Sequence, residues 1–189
     1  VPISLSDGIL ASGDLDGDGD NDLVFASCMG LDTTFIVLQN DGRENFSQTS
    51  STSFQGYAPT TILLEDMNGD NRKDLLLSVK DPARIYLAIN NGGSFGAITA
   101  IAALTDFNRY FSVVDLDGDT RKDIVYSLYN SDNSQSEIRF LLQQSDNSFR
   151  DVSSNIYLQA SGEAIYINAI DYDKNDRTDL VVQIADPAT

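Results

Sequence analysis

Short apolar stretches alternate with polar segments along the whole chain, and they recur in a fixed order. They are rich in Val, Ile, Leu and aromatic residues, and no segment sustains a 3.6-residue apolar period, so the pattern predicts strands and no helix. The predicted first strands are Ile9–Ala11, Ile62–Leu64, Phe111–Val114 and Ile165–Ile170. The predicted second strands are Leu23–Ala26, Leu75–Val79, Ile124–Leu128 and Leu180–Ile184. Third strands are predicted at Phe35–Leu38, Ile85–Ile89 and Ile138–Leu142.

Turn chemistry follows each third strand and predicts a fourth. The turns are Asn40-Asp41-Gly42, Asn90-Asn91-Gly92 and Ser145-Asp146-Asn147, and we expect Phe46, Phe95 and Phe149 to open the fourth strands. Asn, Asp and Gly supply the positive φ that tight hairpins require. Four antiparallel strands in about fifty residues are typical of a β-propeller blade. The sequence therefore predicts an all-β fold, a partial β-propeller of four-stranded antiparallel blades.

The repeats divide the chain into a series of blades. We expect residues 1–5 to be the tail of a preceding blade, and 6–53, 54–103 and 104–155 to be three complete repeats. Residues 156–189 are predicted to be half a repeat. We expect the chain to be a fragment of a longer propeller. The alternative is a natural half-propeller that pairs with a second copy of itself.

An acidic loop of the form D-x-[DN]-x-[DN]-x-x-x-D separates the first two strands of every repeat. The loops begin at Asp14, Asp66, Asp115 and Asp171, and these starts are 52, 49 and 56 residues apart. Four carboxylates about 5 Å apart form six repelling pairs, each costing about 0.8 kcal/mol even in water. Clusters of this kind call for a cation, and six or seven hard oxygen ligands suit Ca²⁺ better than Mg²⁺.

Positions 1, 3, 5 and 9 of each loop are predicted to bind calcium through side chains, and position 7 through its backbone carbonyl. Position 9 is expected to close the site, and up to four Ca²⁺ are expected. The predicted side-chain ligands are Asp14, Asp16, Asp18, Asp22, Asp66, Asn68, Asp70, Asp74, Asp115, Asp117, Asp119, Asp123, Asp171, Asp173, Asn175 and Asp179. The predicted carbonyl ligands are those of Asp20, Arg72, Arg121 and Arg177, and the three arginine side chains are expected to be solvated.

The four loops differ in composition, which predicts an order of affinity. Loop one (14–22) has four Asp and two Gly and is expected to bind calcium most tightly. Loop four (171–179) has Lys174 where the other loops have glycine, and we expect it to lose metal first. Loops two (66–74) and three (115–123) fall between these extremes.

Charge excludes some partners. Twelve basic and twenty-nine acidic residues give a formal net charge of −17, with no histidine. Nucleic acid and anionic membrane surfaces are poor partners for such a chain. No apolar run is long enough to span a bilayer, so we expect no membrane insertion by this segment.

The acidic loops between short strands, repeated every fifty residues, resemble the FG-GAP/VCBS repeats of integrin α-chain propellers and related secreted proteins. Phe95-Gly96-Ala97 and Ala58-Pro59 are traces of the Phe-Gly and Gly-Ala-Pro signatures. The resemblance implies a propeller, usually of seven blades, with Ca²⁺ in the loops between first and second strands. It also implies an extracellular, secreted or cell-surface location.

Three functions remain open at this stage. The first is a non-enzymatic recognition or adhesion module that binds protein or carbohydrate ligands, with structural calcium. The second is a propeller segment of a secreted carbohydrate-active enzyme, a polysaccharide lyase or hydrolase, in which Tyr57, Tyr110, Tyr129 and Tyr157 stack on sugar rings. The third is a purely architectural repeat of a larger surface protein.

Overall fold

Antiparallel strands make up the regular structure of this chain. The computed structural model describes residues 8–29, 32–55, 57–104, 110–130, 132–153, 158–175 and 177–185. Within those ranges no helix is long and apolar enough to cross a membrane. The predicted blade tail at residues 1–5 lies outside the described residues, as does Tyr157.

The strands form successive antiparallel sheets in chain order. The first sheet consists of β1 (Gly8–Gly13), β2 (Asp22–Met29), β3 (Asp32–Asn40) and β4 (Phe46–Gln55). The second consists of β5 (Tyr57–Glu65), β6 (Asp74–Asp81), β7 (Ala83–Ala88) and β8 (Thr99–Ala103). The third consists of β9 (Phe111–Val114), β10 (Asp123–Asn130) and β11 (Gln135–Gln143), with β12 (Phe149–Asp151) and β13 (Leu158–Ser161) both on β11. The fourth consists of β14 (Glu163–Ile170) and β15 (Asp179–Ala185).

The predicted all-β fold of propeller-like blades is confirmed. Every first, second and third strand expected from the apolar pattern is present, and within each sheet neighbouring strands are also neighbours in sequence, except that β13 pairs with β11. Apolar runs predict these strands because successive side chains of a strand point to opposite faces of its sheet. A short run of consecutive apolar residues therefore supplies apolar side chains to both faces.

Phe95 does not open a strand, contrary to the expectation. It forms an isolated bridge with Asn90, and β8 begins only at Thr99. Its ring instead packs edge-on against Phe35 of the first sheet, with centroids 5.6 Å apart. Burying that ring against a neighbouring sheet outweighs the hydrogen bonds that an earlier start of β8 would add.

The outer edge of the third sheet consists of two strands. Strand β13 pairs with the first half of β11 and β12 with its second half, so Leu158–Ser161 completes the third sheet. The Ser153 hydroxyl accepts a hydrogen bond from the Phe140 amide, 2.9 Å away, where the chain leaves the ladder between these two strands. The outer strand is thus split, which a pattern of apolar residues does not reveal.

Two compact units contain these sheets, residues 1–101 and residues 102–189. In the first unit, one face of the first sheet packs on one face of the second. The buried residues of this core are Leu15, Val24, Ala26, Phe35, Val37, Leu64, Leu75, Leu77, Val79, Tyr86 and Ala88. In the second unit, the third sheet packs on the fourth in the same way. The buried residues there are Val125, Ile138, Phe140, Val152, Ala164 and Ile167.

Candidate metal centres

Each acidic loop connects the first two strands of its sheet and bends through alternating backbone conformations. Position 4 has positive φ in all four loops, with Gly17 at 86°, Gly69 at 78°, Gly118 at 82° and Lys174 at 61°. Position 6 has positive φ in the first three loops, at Gly19, Asn71 and Thr120. Left-handed residues at two alternate positions turn successive N–H groups toward the first residue of the loop.

The position 1 carboxylate accepts these N–H groups. In loop one, Asp14 Oδ1 accepts from the Gly17 amide at 2.7 Å and Oδ2 from the Gly19 amide at 3.0 Å. The equivalent bonds recur at Asp66 and Asp115, and Asp171 Oδ1 accepts from the Asn175 amide at 3.0 Å. The loop is therefore organised around a carboxylate by hydrogen bonds of its own backbone.

Positions 3 and 5 accept a hydrogen bond of the same kind, but from an amide only two residues later in the chain. Asp16 Oδ1 accepts from the Asp18 amide at 3.2 Å, and Asp18 Oδ1 accepts from the Asp20 amide at 2.9 Å. The same bond to the amide two residues later is made by Asn68, Asp70, Asp117, Asp119 and Asn175. Each Asp in this set uses one oxygen in this way, which leaves its second oxygen for another partner, whereas Asn68 and Asn175 use their single side-chain oxygen.

Position 9 has a role that sequence reasoning missed. Asp22 is fully buried; its Oδ2 accepts from the Leu15 amide at 2.9 Å, and its Oδ1 accepts from the Asn40 amide at 2.9 Å. Asp74 binds the amides of Met67 and Asn90 in the same manner, and Asp123 those of Leu116 and Gln143. This carboxylate therefore ties the loop to the end of the third strand. The repeated Asp is visible in the sequence. Its second partner is not, because the Asn40 amide lies 18 residues after Asp22 and any residue type supplies a backbone amide.

Burial also affects the acidity of this position. It raises the pKa of the Asp74 and Asp123 carboxyls above the usual range, although the two amide hydrogen bonds of each partly oppose the shift. The neighbouring loop carboxylates raise the pKa further. A cation beside these groups would favour their charged form.

Three loops bring carboxylate oxygens close enough to share one cation. The oxygens of each group lie within 4.8 Å of one another, and the groups are Asp14 with Asp16 and Asp18, Asp115 with Asp117 and Asp123, and Asp171 with Asp173 and Asp179. Calcium binds oxygens at about 2.3–2.6 Å, so one ion can bridge oxygens at this separation. Hard, anionic oxygens are the donors that hard divalent cations such as Ca²⁺ and Mg²⁺ prefer.

The predicted ligands are only partly brought together. Asp22 lies outside the close group of loop one, and Asp119 lies outside that of loop three. Among the described residues, Asp66, Asp70 and Asp74 of loop two form no such group. Metal binding through the carbonyls of Asp20, Arg72, Arg121 and Arg177 stays a prediction.

The position 7 arginines of loops two and three are partly exposed, at 44% and 38% of their side-chain surface, and each also bonds to its own loop. Arg72 Nη2 pairs with Asp70 Oδ2 at 2.6 Å, and its Nε donates to the Asn90 carbonyl at 3.2 Å. Arg121 pairs with Asp119 Oδ2 and donates from Nε to the Gln143 carbonyl at 3.0 Å. In loops two and three the second oxygen of position 5 is thus held by a guanidinium.

Asn90 was predicted only as a turn residue, yet it joins the two sheets of the first unit. It is fully buried, and its Nδ2 donates to the Leu15 carbonyl of loop one at 2.7 Å and to the Lys73 carbonyl at 3.1 Å. Its Oδ1 accepts from the amides of Gly92 and Gly93. Asn at the end of a third strand is the sequence signal, since only a side chain with both donor and acceptor can make all four bonds.

Loops three and four line one cavity in the second unit. The cavity has a volume of about 690 Å³, and the Thr178 hydroxyl donates to the Asp115 carbonyl across it at 3.0 Å. Its lining is Val114, Asp115, Leu116, Asp117, Gly118, Asp171, Arg177 and Thr178. Carboxylates and a guanidinium therefore surround one open, polar space.

Two of the tyrosines proposed for sugar stacking, Tyr110 and Tyr129, do not line this cavity. Tyr57 is the first residue of β5, Tyr129 is next to the end of β10, and Tyr110 directly precedes β9. Tyr172 of loop four is exposed, with 76% of its surface accessible.

Comparison with known families agrees with this architecture. The FG-GAP-like repeat family matches residues 14–77, 66–126 and 115–182, and each match begins at the first Asp of a loop. No curated protein matches the chain. The matches cover most of the sequence, so the chain belongs to the FG-GAP-like repeat family and is a β-propeller-like module.

Backbone strain in loop three gives a first testable prediction. Thr120 is exposed, is β-branched and has φ of 72°, a conformation that costs a non-glycine residue about 1–2 kcal/mol. We expect Thr120→Gly to raise the free energy of unfolding by about 0.5–1 kcal/mol, since the extra freedom of glycine in the unfolded chain cancels part of the gain. Urea unfolding measures this change. The matched control is Asn71→Gly, where Asn already tolerates positive φ; an equal gain there would contradict the explanation.

Proposed function

We propose that this chain is a calcium-stabilised, extracellular recognition module that binds its ligand without catalysis. The observation that carries the calcium assignment is the recurrence of three carboxylate oxygens within 4.8 Å in three loops. FG-GAP-like repeats are typical of extracellular proteins, where millimolar calcium matches the affinity of such sites. The absence of histidine removes the commonest general base from the sequence.

Calcium would be held mainly by positions 1, 3, 5 and 9. Bound there, it supplies the positive charge that the clustered carboxylates lack. In loop one the close oxygens belong to Asp14, Asp16 and Asp18, while Asp22 holds the loop to β3. In loops three and four the position 9 carboxylate itself belongs to the close group.

Calorimetric titration with calcium tests this assignment and the order of the sites. We expect Asp16→Ala to remove the tightest binding phase and Asp173→Ala the weakest, with Asn68→Ala and Asp117→Ala between them. Lys174 at φ 61° supports the low rank of loop four. Magnesium serves as the control titrant, because it prefers fewer protein ligands and more water. Equal binding of both ions, or loss of the tightest phase in Asp173→Ala, would contradict the proposal.

The pairing of Arg121 with Asp119 gives a further prediction about affinity. Calcium must compete with the guanidinium for the second oxygen of Asp119, and exposed ion pairs are worth about 0.2–1 kcal/mol. We expect Arg121→Gln to tighten calcium binding in loop three by about 1.4- to fivefold. Lys122→Gln removes the same charge from the neighbouring residue and controls for net charge. If both variants bind calcium equally well, the specific competition is refuted.

The ligand is proposed to be an extracellular protein or a glycan. The cavity between loops three and four supports a glycan, since the Arg177 side chain that lines it can donate hydrogen bonds to sugar hydroxyl groups. Binding and turnover measured together on a panel of glycans test this. Binding without turnover supports recognition, and binding lost in Arg177→Ala locates it at the cavity. Turnover would instead favour the alternative, a segment of a polysaccharide lyase or hydrolase.

A further inference from the structure

Successive sheets within each unit pack by one rule. The front face of a sheet is the face that carries the residue two positions after the position 9 Asp, and the back face is the opposite one. In the first and third sheets, the front face packs on the next sheet. In the first unit the front face of the first sheet (Val24, Ala26, Phe35, Val37) packs on the back face of the second (Leu64, Leu75, Leu77, Val79). In the second unit the front face of the third sheet (Val125, Ile138, Phe140) packs on the back face of the fourth (Ile167, Leu180, Val182, Ile184). The two sets occupy equivalent positions of the repeat.

The front face of the fourth sheet is uncovered at positions where the other front faces are buried. Val24, Val125 and Val181 are equivalent, because each lies two residues after the position 9 Asp of its repeat. Val181 is 40% exposed, whereas Val24 and Val125 are both 0% exposed. Tyr166 and Ile170 lie on the same face, because they pair with Gln183 and Asp179 on either side of Val181. They are 46% and 39% exposed.

Position 2 of the loops shows the same contrast. Leu15 and Met67 are 1% and 2% exposed, and the Leu15 carbonyl accepts bonds from Asn90 and Gly93 of the following sheet. Tyr172, the equivalent residue of loop four, is 76% exposed. The fourth sheet thus lacks the contacts that a following sheet makes in the first unit.

The back face of the first sheet is exposed over part of its area, although Phe25, which pairs with Leu10 on this face, is 7% exposed. Leu10 is 56% exposed, whereas the equivalent residues Phe111 and Ile167 are 7% and 5% exposed. Phe46 is 45% exposed and lies on the same face, since it pairs with Asn40 two residues beyond Leu38. The exposed large hydrophobic side chains of the described residues are Leu10, Phe46, Tyr166, Ile170, Tyr172 and Val181, and all six lie on these two surfaces.

We propose that the front face of the fourth sheet docks on the back face of the first sheet of a second copy of this chain. The repeat already joins front faces to back faces, and the matching back face is present and exposed on the chain itself. The contact is heterologous, because each copy contributes a different face.

Sedimentation velocity of the whole chain across the micromolar range tests the proposal. We expect concentration-dependent association, and we expect Leu10→Lys and Val181→Lys each to sediment as monomers. Both positions are exposed, so far-ultraviolet circular dichroism and melting temperature should match the parent chain. Ala100→Lys, at an exposed position of β8 on neither face, controls for the added charge and should associate normally.

Mixing the two variants gives the decisive result. Leu10→Lys retains an intact front face and Val181→Lys an intact back face, so an equimolar mixture should form a heterodimer through the one intact pair. A monomeric parent chain would overturn the proposal. Persistent association of Leu10→Lys alone would also overturn it, since the complex would then form without an intact back face of the first sheet.

Discussion

Removing calcium is expected to lower the melting temperature of the chain by about 10–20 °C. A site with a dissociation constant of about 0.1 mM gains roughly 1.4 kcal/mol of folded-state stability at about 1 mM free calcium. Four independent loops would together contribute about 5–6 kcal/mol. That sum is comparable to the whole free energy of unfolding of many domains, which is about 5–15 kcal/mol.

Differential scanning calorimetry in calcium and in excess chelator measures this effect at matched ionic strength. Each compact unit carries two of the loops, so we expect the transitions of both units to move to lower temperature. Replacing calcium by magnesium at the same concentration controls for general screening of the acidic surface. An unchanged melting curve in chelator would refute calcium as a stabilising ligand.

Much of the fold could be predicted because the same pattern of strands, turns and acidic loop recurs in each repeat. The apolar runs at Phe111–Val114 and Ile124–Leu128 have the same spacing around an acidic loop as their counterparts in the other repeats. Turn residues and the glycines at position 4 agree with that reading, as expected when local preference and global fold are consistent. The sheet order follows from this agreement.

The parts that could not be predicted depend on contacts between segments distant in sequence. Phe95 leaves its strand position to pack on Phe35, sixty residues earlier in the chain. Arg121 reads as a solvated side chain in isolation, but the fold brings the Gln143 carbonyl to its Nε. Phe35 and Gln143 are both far in sequence from the residues they contact. The local pattern around Phe95 and Arg121 therefore gave no indication of either contact.

The candidate metal centres show the same division. Position in the motif correctly selects the residues whose oxygens converge, such as Asp115, Asp117 and Asp123. It does not separate a residue that faces the cation from one that holds the backbone, because both tasks require a carboxylate. Asp22 illustrates this, since its burial and its bond to Asn40 appear only in the folded chain.

Asp22→Ala is therefore expected to destabilise the chain whether or not calcium is present. The substitution removes two hydrogen bonds from a charged acceptor, each worth about 1.5–3 kcal/mol, and leaves the Leu15 and Asn40 amides without it. We expect the free energy of unfolding to fall by about 3–6 kcal/mol, measured by urea unfolding in excess chelator. Asp16→Ala is the matched control, because its exposed carboxylate should matter chiefly when calcium is bound. If the two variants lose similar stability in chelator, position 9 acts only as a metal ligand and the structural role assigned to it is wrong.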